Sequence, residues 1–164
     1  MTQQKKLVLL ATLGSAALLF GAFGFQYIGG YLPCKMCLWQ RWPHAAAIVI
    51  GAAVLAGGSR ALIWLGVLAA ALTAAIGFFH AGVEWGWWPG PASCTGGGLD
   101  MGAMSGSDLL SMDAPTGLVM CDEIVWSFGG LSMAGWNAIL SVGLMGIWLL
   151  AARARQVRQV RRSA

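Results

Sequence analysis

The stretch YLPCKMCLWQRWPH, residues 31–44, carries Cys34 and Cys37 in a C-x-x-C spacing, with Arg41 four residues after the second cysteine. Apolar runs lie on both sides, at about 7–28 upstream and at about 40–57, 61–81 and 124–152 downstream. A helix needs about 20 residues, each rising about 1.5 Å, to cross a bilayer core. The fifteen residues from Pro43 to Gly57, counted back from the Gly57-Gly58-Ser59-Arg60 turn, are too few. The second helix must therefore start near Gln40, or as early as Cys37. That start puts Arg41 at the membrane boundary and the cysteine pair at the mouth of a helix.

Composition points the same way. Of 164 residues, 58% are hydrophobic and 10% charged, with a mean hydropathy of +0.70. Soluble domains carry roughly 25% charged residues. So little charge does not clothe a soluble globule. The expected fold is all-α and integral to a membrane: one domain over 1–164, a bundle of four transmembrane helices, with outer loops at about 29–39 and 82–123. Lys5-Lys6 precedes the first run, as in a secretory signal. The run exceeds an h-region of about 7–15 residues, so it reads as a retained helix.

Charge sets the expected orientation. Lys5, Lys6, Arg60 and the C-terminal arginines 153, 155, 158, 161 and 162 all fall on one side of such a bundle. By the positive-inside rule that side is the cytoplasm, giving N-in and C-in. The six acids, Glu84, Asp100, Asp108, Asp113, Asp122 and Glu123, fall on the other side. The arginine-rich end reads as a topology signal in contact with anionic lipid, and no nucleic-acid partner is expected. Trp39, Trp42, Trp85, Trp87, Trp88 and Trp126 cluster near the outer boundary as an interfacial belt. SDLLSMD, from Ser107, reads equally as a short surface helix or an ordinary loop.

All four cysteines, Cys34, Cys37, Cys94 and Cys121, lie in the two outer loops. In an oxidising compartment that means disulfide chemistry. Four cysteines allow three pairings, and the sequence alone leaves them open. Cys37 and Arg41 stand at i and i+4, on one helix face. A helix N-terminus and a nearby guanidinium both favour a thiolate. His80 falls at similar depth on the neighbouring helix, with Glu84 one turn on. Alone, His80 and His44 read as interfacial polar residues, and Arg41 as a snorkelling cation. Beside a nucleophilic thiolate, Arg41 and His80 suit a flat, lipid-soluble acceptor with two carbonyl oxygens, a quinone. A zinc half-site is the competing reading, but Cys94 and Cys121 are 27 residues apart and form no second close pair, so no metal is expected. Haem attachment requires C-x-x-C-H, and Leu38 follows Cys37. A C-x-x-C bridge also closes too small a loop to serve as a staple.

The pattern Pro33-Cys34-x-x-Cys37-x-x-Gln40-Arg41-x-Pro43, with FHAGVEWGWWPGPASC from Phe79 to Cys94, resembles the disulfide bond formation protein B (DsbB) family over nearly the whole chain. The resemblance implies a thiol:quinone oxidoreductase of the bacterial inner membrane, its cysteines facing the periplasm. It would reoxidise a soluble thioredoxin-like (DsbA-like) oxidase and pass the electrons to ubiquinone or menaquinone. It implies Cys34–Cys37 as the quinone-side pair and Cys94–Cys121 as the pair that meets the partner, through Cys94. It places Arg41 and, more loosely, His80 at the quinone. Glu84 joins His80 as a candidate proton relay. A vitamin K epoxide reductase-like enzyme, whose C-x-x-C sits late in the chain, fits less well. A non-enzymatic scaffold with stapled loops would show no dithiol exchange.

Overall fold

The computed structural model describes residues 1–91, 94 and 119–163. Asp100, Asp108, Asp113 and the SDLLSMD segment lie outside the described residues. Four long helices make up the fold: α1 (Gln3–Tyr27), α2 (Lys35–Leu55), α3 (Arg60–Glu84) and α4 (Met133–Ser163). A hairpin of β1 (Ser127–Phe128) and β2 (Leu131–Ser132) precedes α4.

Local chemistry sets the helix starts. The Thr2 hydroxyl caps α1 by accepting the Lys5 backbone N–H at 3.3 Å. The Cys34 sulfur caps α2 by accepting the Cys37 N–H at 3.0 Å. Between α2 and α3 the chain reverses at Gly57, whose φ of +118° is open to glycine and costly for other residues. The Gly58 N–H then returns to the Ala53 carbonyl at 3.0 Å and closes the α2 end.

Gln3–Tyr27, Ala61–Glu84 and Met133–Ala154 are long and apolar enough to cross a membrane. α2 is not among them, which differs from the expectation of four apolar spans. Gln40, Arg41 and His44 lower its hydropathy, yet Gln40 and His44 are buried inside the bundle. At about 1.5 Å per residue, its 21 residues still make a rod of about 30 Å. The last helix also differs, starting at Met133 rather than near 124. Gly129 and Gly130, at φ +59° and +80°, make the tight turn of the hairpin and end any helix there. At the other end α4 runs past 152 to Ser163, and α3 extends past 81 to Glu84.

The helices pack in a closed ring: α1 on α2, α2 on α3, α3 on α4 and α4 on α1. The start of α1 meets the ends of α2 and α4, since Lys5 Nζ donates to Leu55 O at 3.5 Å and Gln4 Nε2 to Ala151 O at 3.2 Å. Both termini of the bundle thus lie at one end, and the cysteines at the other. Leu13, Phe20, Val49, Leu68, Phe78 and Val142 face outward, as lipid-facing side chains do. Trp39, Trp42, Trp85 and Trp87 are exposed at the cysteine end, whereas Trp148 is fully buried near the opposite end.

Trp148 lies flat against Gly66, where an added Cβ would sit 2.7 Å from its ring carbons. Gly66→Val should therefore cost about 1–3 kcal/mol by overpacking. A lower unfolding midpoint in detergent is the expected result; an unchanged midpoint would show that the indole has room to move.

Candidate functional site

The cysteine end holds a buried cluster of Cys34, Cys94, Cys121 and Met36, with Cys37 packed against it. Cys94 and Cys121 are disulfide-bonded, and Cys34 and Cys37 are free. The pairing that the sequence left open is thus 94 with 121. Backbone bonds hold the two loops together. Cys121 N–H donates to Cys94 O at 2.7 Å, Cys94 N–H to Pro91 O at 2.8 Å, and Cys34 bridges in parallel to Val119. Both pairs therefore share one cluster although 57 residues separate Cys37 from Cys94.

The Cys34 and Cys37 sulfurs lie 2.7 Å apart. A small adjustment brings them to the disulfide length of about 2.05 Å. Both sit ahead of residue 40, outside the expected span. The Cys34 thiol donates to the Cys37 sulfur, which holds Cys37 below the ordinary thiol range. The Arg41 charge acts in the same direction, against burial and the Glu84 charge. The same bond and burial raise Cys34. Cys37 is thus the sulfur favoured as thiolate.

His80 stands beside Cys34, its Nε2 at 3.4 Å from the sulfur. Gln40 Nε2 lies 2.9 Å from His80 Nδ1. An amide nitrogen only donates, so Nδ1 accepts and Nε2 carries the ring proton. His80 also bonds the Cys121 backbone, with Cys34 and Glu84, whose Oε1 is 3.8 Å away, beside its Nε2. The other Glu84 oxygen is buried without a partner among the described residues.

A polar chain continues inward from Gln40. Asn137 Nδ2 donates to Gln40 Oε1 at 2.6 Å, and His44 Nε2 donates to Asn137 Oδ1 at 2.9 Å. Thr73 Oγ1 lies 3.2 Å from His44 Nε2 and 3.3 Å from the Gln40 carbonyl. His44 is thus buried and built into the bundle, which corrects its reading as an interfacial residue. Gln40, Thr73 and Asn137 did not stand out as site residues in the sequence. The one available signal was Asn137, the only asparagine of the chain, set in an apolar span.

A cavity of about 410 Å³ opens beside this chain. That volume falls within the usual range for small-molecule sites, about 300–1,000 Å³. Its wall is mostly apolar, with Leu18, Ala22 and Phe25 of α1, Leu140 of α4 and Trp126 ahead of the hairpin. Its polar lining comprises Cys34, Cys37, Gln40, Arg41, His44, His80, Glu84, Glu123 and Asn137. Trp126, expected in the interfacial belt, lines the cavity and packs on Phe25 with ring centroids 5.0 Å apart. Arg41 is held at two points. Its Nη1 donates to Gln26 Oε1 at 2.6 Å, and its guanidinium carbon lies 4.9 Å from the Phe23 ring centre. Its Nε is buried and unpartnered among the described residues, as is His44 Nδ1. The structure therefore brings Cys34, Cys37, Arg41, His80 and Glu84 to one cavity, with Cys94 and Cys121 directly behind it.

Fold and site together define a class: a helical membrane bundle with two cysteine pairs above an apolar cavity. The family described as "Disulfide bond formation protein DsbB" matches residues 4–151, and the chain belongs to that family. Its members are membrane oxidoreductases that act on thiols in disulfide bond formation. The chain is 36% identical to disulfide bond formation protein B of Verminephrobacter eiseniae (strain EF01-2), covering 98% of this chain and 92% of the relative. Proteins of the same name from Polaromonas sp. (strain JS666) and Methylococcus capsulatus (strain Bath) are 30% and 35% identical. Those matches cover 93% and 87% of this chain, and 94% and 90% of the two relatives. No solved structure matches the chain.

Proposed function

We propose that the protein reoxidises a soluble periplasmic thioredoxin-like dithiol oxidase and passes the electrons to a quinone, ubiquinone or menaquinone. The observation that carries this reading is that two cysteine pairs cluster together at an apolar cavity lined by Cys34, Cys37, Arg41 and His44. In this reading the protein is one domain of the bacterial inner membrane, with all four helices crossing, both termini in the cytoplasm and the cysteine end in the periplasm. The basic residues at the terminal end support that orientation.

The residues present fit a quinone. Arg41 Nε offers a charged donor to a carbonyl oxygen, and His44 Nδ1, an acceptor because Nε2 donates to Asn137, suits a hydroxyl of the reduced form. A bound quinone would accept two electrons and two protons. The chain's own part is thiol exchange. A partner thiolate attacks the Cys94–Cys121 disulfide at Cys94, and the second partner thiol resolves the mixed disulfide. Cys94 and Cys121 are then thiols, and one of them attacks Cys34. The common cluster of Cys34, Cys94 and Cys121 supports that choice of sulfur. Cys37 leaves as thiolate beside Arg41 and gives up the electron pair at the cavity. The remaining thiol of the Cys94/Cys121 pair attacks the other's sulfur in the mixed disulfide, re-forming Cys94–Cys121 and freeing Cys34 to close onto Cys37. Cys94 is 5% exposed and Cys121 is fully buried, so the partner reaches them only when that segment lifts from the cluster.

His80 and Glu84 are proposed to carry protons from the thiols toward the cavity. The position of His80 Nε2, 3.4 Å from Cys34 Sγ and 3.8 Å from Glu84 Oε1, supports the assignment. His80→Ala with Glu84→Gln should slow quinol formation by roughly 10²–10⁴-fold, the usual contribution of positioned acid–base groups. Unchanged turnover in the double variant would remove them from the path.

The overall reading is tested by quinone absorbance over time, with purified protein in detergent and a reduced thioredoxin-like partner. Quinone loss that depends on both protein and dithiol is the expected result. No loss with either quinone and any reduced partner would leave a stapled scaffold as the better account.

A further inference from the structure

We propose that in its dithiol state the Cys34–Cys37 pair, with His80, forms a site for a thiophilic divalent cation, Zn²⁺ above all, with Glu84, which must swing in from beside His80, as the fourth ligand. The inference rests on the reading above in one respect: the pair must pass through a dithiol.

The sequence argued against zinc because no second cysteine pair stands nearby. The fold supplies the missing ligands from another helix. The sulfurs of Cys34 and Cys37 and a ring nitrogen of His80 all lie within 4.8 Å of one another. Glu84 Oε1 is 3.8 Å from His80 Nε2, and Glu84 Oε2 is a buried oxygen with no partner among the described residues. All four side chains line the same cavity, which gives an ion a way in.

The spacing suits tetrahedral zinc. Zn–S bonds of about 2.3 Å and Zn–N bonds of about 2.0–2.1 Å put sulfur and nitrogen about 3.5 Å apart. Cys34 Sγ and His80 Nε2 already stand at 3.4 Å. The sulfurs must open from 2.7 Å to about 3.8 Å. Rotation of the Cys37 side chain toward the cavity provides that. Two thiol protons are released, the metal keeps its charge, and no electrons move. Zinc takes the Nε2 lone pair, and the ring proton moves to Nδ1. There the Gln40 amide accepts it by turning end for end, and the polar chain turns with it: Asn137 flips to accept from Gln40 Nε2 and the His44 ring proton moves to Nδ1, giving the outer support that metal-bound histidines use.

Such a site exists in only half of the catalytic cycle. A Cys34–Cys37 disulfide has no thiolate to offer, so the oxidised protein does not bind. Zinc bound to the dithiol holds both sulfurs and arrests electron delivery, and a chelator releases it.

The test uses full-length protein with Cys94→Ser and Cys121→Ser, so that one pair remains. The protein is reduced, freed of reductant without air, its thiols are counted, and it is titrated with Co²⁺. The expected result is two thiols per chain and one equivalent of cobalt with the strong visible bands of tetrahedral thiolate ligation. Equimolar Zn²⁺ displaces those bands, and the same preparation after oxidation shows none. His80→Ala weakens cobalt binding at least tenfold, and Glu84→Gln weakens it less. Two thiols without cobalt bands would overturn the site. So would undiminished binding in His80→Ala, which would leave the C-x-x-C alone as the chelator. Failure to produce two thiols would overturn the dithiol cycle itself, and the metal site with it.

Discussion

Cys37→Ser protein, supplied with reduced partner and quinone, is expected to lose steady quinone reduction by at least about a thousandfold, as removal of a reacting group does. The loss should have a particular form. Cys94–Cys121 is a separate disulfide and remains able to exchange with the partner. The variant should therefore oxidise about one equivalent of partner dithiol and then stop. Parallel measurement of partner thiols and quinone absorbance separates the two halves of the relay. Continued quinone consumption at a rate near that of the parent would mean that Cys37 does not deliver the electrons.

Arg41→Ala is expected to raise the apparent KM for quinone by roughly ten- to a hundredfold, the worth of about 1.5–3 kcal/mol for a hydrogen bond from a charged donor. The geometry explains why the effect falls on binding. Gln26 and the Phe23 ring hold the guanidinium, leaving Nε buried and free to donate. A smaller fall in kcat should accompany it, because Arg41 also favours the Cys37 thiolate. Arg41→Lys should not restore affinity, since a single ammonium cannot bond Gln26 and keep a second fixed donor in place. Steady-state kinetics at saturating partner give both constants. An unchanged KM in Arg41→Ala would remove the guanidinium from the quinone site.

Much of this site could be read from residue order. The Cys37–Arg41 relation depends on helix spacing alone, and one tight turn at Gly57 was enough to bring His80 to the same depth. The features that stayed hidden depend on which helices become neighbours. The contact between Cys34 and His80 joins positions 46 apart, and the bond from His44 to Asn137 joins positions 93 apart. Without those partners His44 looked like a residue for the membrane surface. The start of α4 was misplaced for a local reason: Ile124 to Leu131 is apolar enough to continue a helix, and only the paired glycines turn it into a hairpin. Glu84 was placed correctly by its i+4 relation to His80, but its burial in the shared cavity emerges only from packing.

The inward-facing polar side of α2 has a consequence for how the chain is made. Gln40, Arg41 and His44 find their partners on α1, α3 and α4: Gln26, His80 and Asn137. Polar groups within a span count against insertion at the translocon, so α2 is the helix least able to enter lipid alone. In the proposed four-span topology the four-residue Ala56–Ser59 link to α3 suits entry of the two as a hairpin, with the apolar α3 drawing α2 in. Asn137 is synthesised last of these, and until it arrives the His44 ring has only the Thr73 hydroxyl beside it and Gln40 Oε1 lacks its donor. A nascent chain stalled before α4 would expose an unfinished polar seam to lipid, marking it for the quality-control proteases of the membrane.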